Sequence, residues 1–191
     1  MEKLITLFVS LVFVNNIVVS QFMGIDSVFV IAKKKNSLLK MGLLMSVVIV
    51  ISSVLSYGIY RFVLVPLSMQ YLDLLVFTLV IIVIVYSVYA YIKKNDTTFS
   101  EEYGKQFISL TLNSIVLYVA MNNITFNYNW AEVIIYALAA SVGFILVVVV
   151  VAPIQERLEA AEIPAAFKGV PIMFIVAGLM AIALSGIAGI I

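Results

Sequence analysis

The chain has 191 residues, of which 64% are hydrophobic and 11% charged, and its mean hydropathy is +1.21. A soluble domain carries about a quarter charged residues, so this composition is that of an integral membrane protein. The net charge of +1 excludes a basic nucleic-acid-binding surface, and the absence of cysteine and histidine removes disulfides, thiolate ligands and any Ser–His nucleophile from this chain.

Apolar runs between polar breaks give six predicted membrane helices in a single all-α domain spanning 1–191. The first run, Leu4–Ala32, is too long for one straight span, and its only ionisable group is Asp26. Asn15, Asn16, Ser20, Gln21 and Gly24 interrupt the same run. A lone acid at bilayer depth is costly unless paired, protonated or facing a polar cavity, so Asp26 marks a candidate functional site. No secretory signal is expected, because there is no basic n-region beyond Lys3 and no small-residue cleavage site.

The second and third runs, Leu38–Tyr60 and Leu74–Ile92, have ordinary spanning lengths, with Asp73 expected as a helix cap facing water. The fourth, Phe107–Met121, is short and carries Ser109, Thr111, Asn113 and Ser114. The fifth, Val133–Ile154, carries the small residues Ala139 and Gly143 four apart. The segment Gln155–Lys168 is charged, and predicts a short solvated helix ending at Pro164. The sixth, Val170–Ile191, carries Ala177, Ala181, Ser185 and Gly189 on one face, a row suited to close helix packing. Tyr57, Tyr60, Tyr71, Tyr128 and Trp130 fall near span ends as interfacial anchors.

Loop charge sets the expected orientation. All basic residues except Lys3 and Arg61 fall on one side: Lys33, Lys34, Lys35 and Lys40, then Lys93, Lys94 and Lys105, then Arg157 and Lys168. The positive-inside rule places both termini outside the cytoplasm. The two abnormal runs are the first and the fourth, so the chain divides into two inverted three-helix repeats, about 1–95 and 100–191. Interrupted segments at matching positions of inverted repeats point to a site near the midplane. Asn15-Asn16-Ile17-Val18 echoes Asn113-Ser114-Ile115-Val116 in the same two runs.

No phosphate-binding loop, dinucleotide fingerprint or zinc motif is present. The chemistry left is intramembrane and polar: Asn15, Asn16, Gln21, Asp26, Thr111, Asn113 and Ser114. Taken singly, the amides and hydroxyls read as interhelical hydrogen bonds, worth about 0.6 kcal/mol each. Clustered on two broken segments, they favour a site.

The stretches Val14-Asn15-Asn16-Ile17-Val18, Phe22-Met23-Gly24-Ile25-Asp26 and Thr111-Leu112-Asn113-Ser114 resemble the RnfA and NqrE membrane subunits of ion-translocating electron-transfer complexes. Glu156-Arg157-Leu158, Ile163-Pro164-Ala165-Ala166-Phe167-Lys168-Gly169 and Ala177-Gly178-Leu179-Met180 extend the resemblance to the last loop and helix. The resemblance implies a prokaryotic cytoplasmic-membrane protein paired in inverted orientation with an RnfE/NqrD-like paralogue, with a flavin-carrying extracytoplasmic subunit in the same complex. It also implies a shared 2Fe–2S cluster held by cysteines at the midplane, relaying electrons in a complex that moves sodium or protons. Here the two family cysteines fall on Asp26 and Ser114, so this chain offers no thiolate and no cofactor is expected from its own residues. Asp26, Ser114, Asn113 and Gly24 are the candidate cofactor-site positions. A competing reading of a different class is a small-molecule transporter subunit, of the substrate-binding kind in energy-coupling-factor vitamin transporters, which also has six spans and needs no cysteine.

Overall fold

The computed structural model describes residues 2–34 and 37–186. Lys35, Gly189 and the end of the sixth apolar run lie outside the described residues. The protein is all-helical, with no strand among the described residues. Four helical stretches are long and apolar enough to cross a membrane: Leu38–Leu64, Gln70–Asn95, Thr97–Thr125 and Trp130–Glu159. Two shorter apolar stretches, Leu4–Val14 and Val170–Ser185, accompany them. This is a multi-pass membrane protein.

The first apolar run is three helices rather than one. Helix α1 (Glu2–Val9) passes into a π turn, Ser10–Val14, closed by Asn15 N–H donating to the Ser10 carbonyl at 2.7 Å. A second, four-residue helix α2 (Ile17–Ser20) follows the break, and α3 (Ile25–Ala32) follows a turn through Gln21–Gly24. A π turn inside an α-helix leaves backbone groups out of register, and such turns recur at functional sites.

Helix α4 (Leu38–Ile59) continues into a second π turn at Tyr60–Leu64, and α5 (Asp73–Asn95) returns across the bundle. Asp73 lies inside the first turn of α5 rather than capping it, because a short 3₁₀ turn, Gln70–Leu72, precedes it. The fourth run starts ten residues earlier than its apolar pattern indicates. Helix α6 (Thr97–Thr111) begins under the side chain of Asp96, which accepts from Phe99 N–H at 2.9 Å, and breaks before α7 (Ser114–Thr125). Its first half is polar enough that hydropathy alone passes over it.

Helix α8 (Trp130–Glu159) is the central pillar and packs on α4, α3, α1 and α2. At 30 residues it is about 45 Å long, more than the hydrocarbon core requires. A capping box starts it: Asn129 Oδ1 accepts from Glu132 N–H, and the Glu132 carboxylate accepts from Asn129 N–H, both at 3.0 Å. The charged Gln155–Glu159 stretch is therefore the end of α8, not a separate helix; the chain leaves the helix before Pro164. Helix α9 (Val170–Ser185) leans on α2 and the first π turn and leaves most of its surface outside. Ala177 is buried there, while Ser185 faces out.

The core contains Val18, Val28, Ile49, Val116, Phe144 and Val147, all nearly inaccessible. Tyr57 belongs to this interior rather than to the interface: it packs edge-on to Trp130 at 4.8 Å and donates its hydroxyl to the Tyr128 carbonyl at 2.6 Å. Tyr71, at 76% exposed, fits the anchor role.

Candidate functional site

The two breaks meet. In the turn between α2 and α3, Phe22 and Gly24 both have left-handed backbone, with φ of 56° and 78°. Gly24 is required twice over there. Its conformation disfavours any side chain, and a Cβ would stand 3.0 Å from Cβ and Cγ2 of Ile115 in α7. This close approach sets the start of α3 against the start of α7.

Asn113 then ties the two together. Its Oδ1 accepts from Ile115 N–H at 3.3 Å, capping α7, and from the Ser114 hydroxyl at 2.9 Å. Its Nδ2 donates to Asp26 Oδ1 at 2.9 Å and also to Ser27 Oγ. Ser27 donates in turn to the Leu110 carbonyl at 2.9 Å, and Gly24 N–H donates to Ser114 Oγ at 3.2 Å. Helix ends leave unpaired N–H and carbonyl groups, and each break supplies what the other lacks.

Gly24 and Ser27 are buried and Asn113 is half-buried, whereas Asp26 and Ser114 reach the outer surface of the chain. Phe22 and Leu112, 40% and 41% exposed, flank them. Helix α3 runs from the break toward the lysine-rich end, where Lys34 lies 5.4 Å over the Tyr103 ring, and α7 runs the opposite way. Two helix N-termini, each the positive end of its dipole, therefore converge on the Asp26–Ser114 pair.

The other predicted polar residues separate into two groups. Asn16 is buried and fully used in holding the first break. Its Oδ1 accepts from Val18 N–H at 3.1 Å, and its Nδ2 donates to the carbonyls of Val12 at 2.9 Å and Gly143 at 3.1 Å. A Cβ on Gly143 would come within 2.8 Å of that nitrogen, so the small residue on α8 receives an amide rather than another helix. Thr111 is also buried and bonds back to the Phe107 carbonyl at 2.6 Å. Asn15 and Gln21 do not join the Asp26 network. Both line a cavity of about 300 Å³ that Tyr118, Asn122 and Tyr136 also face.

The sequence echo is offset in space. It aligns Asn15 with Asn113, yet Asn16 is the residue that caps its helix as Asn113 does. Ser27, central to the network, carried no signal beyond being a hydroxyl next to Asp26 in an apolar run. No cluster of three or more metal-binding acids, histidines or cysteines occurs among the described residues. The candidate donors at the meeting point are a carboxylate and a hydroxyl.

A family model described as "Rnf-Nqr subunit, membrane protein" matches residues 4–191. The chain belongs to the Rnf-Nqr membrane-subunit family. It is 38% identical over 191 residues to the RnfA subunit of an ion-translocating oxidoreductase complex from Aliivibrio salmonicida, covering 100% of this chain and 99% of that protein. It is 33% identical, with the same coverage, to the corresponding subunit of a proton-translocating ferredoxin:NAD(+) oxidoreductase complex from Clostridium ljungdahlii. A sodium-translocating counterpart from Acetobacterium woodii is 38% identical over 186 residues, 97% of each chain. The RnfA resemblance thus holds over the whole length, and these relatives do not favour the vitamin-transporter alternative.

Proposed function

We propose that this Rnf-Nqr protein sits in the cytoplasmic membrane as the RnfA-type subunit of an ion-translocating electron-transfer complex. It pairs there with an RnfE/NqrD-like paralogue, next to a flavin-carrying extracytoplasmic subunit. The names of its full-length relatives support this reading. The observation that carries the pairing is the exposure of Asp26 and Ser114 between apolar neighbours. A carboxylate facing lipid is expensive, and a partner covering that face removes the cost. The chain is built of six spans in two inverted halves, about 1–95 and 100–191, with both termini extracytoplasmic. Loop charge and the opposed directions of α3 and α7 support that arrangement.

The residues present do not fit the family's 2Fe–2S cluster. Iron–sulfur clusters are held mainly by thiolates. Asp26 and Ser114 offer hard oxygen donors, both tied to Asn113, and the chain contains no cysteine. We therefore assign the site to oxygen chemistry, with Asp26 taking up a proton or a cation and Ser114 and Asn113 positioning it.

Iron and acid-labile sulfide assays on the complex purified with its native partners test this reading. The expected result is no cluster that depends on this chain. A stoichiometric cluster lost on Asp26→Ala or Ser114→Ala would overturn it.

A further inference from the structure

At the lysine-rich end of the bundle, away from the Asp26 site, a cavity of about 180 Å³ lies between α3, α8 and α9. Lys33 and Lys168 line it, together with Glu159 and Gln155 near the end of α8. Its walls include Phe29, Ile163 and Met173. Gln155 is only 4% exposed, and its Oε1 has no hydrogen-bond partner among the described residues. A buried polar atom left unpaired is costly, so this one calls for a donor from outside the chain.

The start of α9 also borders the cavity. Gly169 there has a φ of 88°, no side chain caps the helix, and no acid lies in its first turn. A 16-residue helix thus presents its positive end beside two lysines. One carboxylate, Glu159, stands among them. A plain anion would meet that carboxylate unfavourably. A phosphodiester whose far end donates hydrogen bonds satisfies every group at once.

We propose that this cavity seats the headgroup of a membrane phospholipid with a hydrogen-bond-donating end group. The phosphodiester lies on Lys33, Lys168 and the start of α9, and the end group donates to Gln155 Oε1 and Glu159. The apolar walls receive the first acyl carbons. Basic pockets between membrane helices bind lipid headgroups through this combination.

Native mass spectrometry on the purified full-length chain, titrated with phosphatidylglycerol, phosphatidylcholine and glycerol phosphate, tests the proposal. Phosphatidylglycerol is expected to bind, and the Lys33→Ala/Lys168→Ala double variant to bind it about 30-fold more weakly. Phosphatidylcholine, with a phosphate but no donor at its end, is expected to bind about tenfold more weakly than phosphatidylglycerol. Gln155→Leu should narrow that preference. Both lysines are exposed, so the double variant remains informative even if Gln155→Leu does not fold. The proposal is overturned if the double variant holds phosphatidylglycerol as well as the parent, or if phosphatidylcholine binds equally. Glycerol phosphate binding as tightly as the lipid would make this a soluble-phosphate site and also overturn it. Failure of any lipid to bind, with the lysines needed instead to retain a soluble subunit, would do the same.

Discussion

Asn113 Nδ2 donates to Asp26 Oδ1 at 2.9 Å, joining two helix breaks 87 residues apart in sequence. That amide also caps α7 through Oδ1 and reaches Ser27 Oγ. Asn113→Ala would leave Ile115 N–H, Ser27 and Asp26 each short of a partner. The expected loss is about 1–3 kcal/mol of stability, seen as a lower melting temperature in detergent. Asn113→Asp keeps the cap but sets a carboxylate against Asp26. It should melt below the parent at pH 7, with the deficit shrinking in acid as one of the two carboxylates is protonated.

Gly24→Ala acts through a different physical cause. A side chain in left-handed backbone costs about 1–2 kcal/mol, and its Cβ would press on Ile115 at 3.0 Å. Ile115→Ala in the same chain removes Cγ2 and Cδ1 and so relieves part of the contact, but leaves the backbone penalty. A double-mutant cycle should therefore show a favourable coupling of about 1 kcal/mol. Strict additivity would show that α3 and α7 do not approach as closely as described.

The pattern of apolar runs and polar interruptions located both breaks, because unwound backbone in a membrane needs polar residues or glycine beside it. Asp26, Asn113, Ser114 and Gly24 were legible for that reason, and the structure brings them together. Other features were not legible. Thr97–Gln106 is helical yet too polar for a hydropathy window, and its start is marked only by the Asp96 cap. Ser27 became visible only once the Leu110 carbonyl was placed opposite it. Gly143 was readable as a small residue, but its partner Asn16 lies 127 residues away, and spacing cannot show that.

That long-range bond supports a prediction of its own. Gly143→Ala would drive a methyl to within 2.8 Å of Asn16 Nδ2 and break its bond to the Gly143 carbonyl. Asn16→Leu removes the same bond together with the α2 cap. Each single variant is expected to lose about 1–3 kcal/mol. The double variant should cost less than the sum by about 1 kcal/mol, because one bond cannot be lost twice. Thermal melts of the four proteins supply the cycle.

Asp96 gives a pH-dependent prediction outside the membrane spans. It pairs with Lys40, whose ammonium lies 4.5 Å over the Phe99 ring, and it caps α6. The hydrogen bond from Lys40, and after it the Phe99 N–H, hold its carboxyl below the ordinary value of 3.8. A depressed folded-state pKa means that the stabilisation is complete above the unfolded value and is lost as pH falls through the folded one. Asp96→Asn should therefore melt below the parent at pH 7, and the gap should close in acid below about pH 4. Both groups are substantially exposed, so high salt should narrow the gap at pH 7 as well. A gap that neither acid nor salt changes would assign the effect of Asp96 to the helix cap alone.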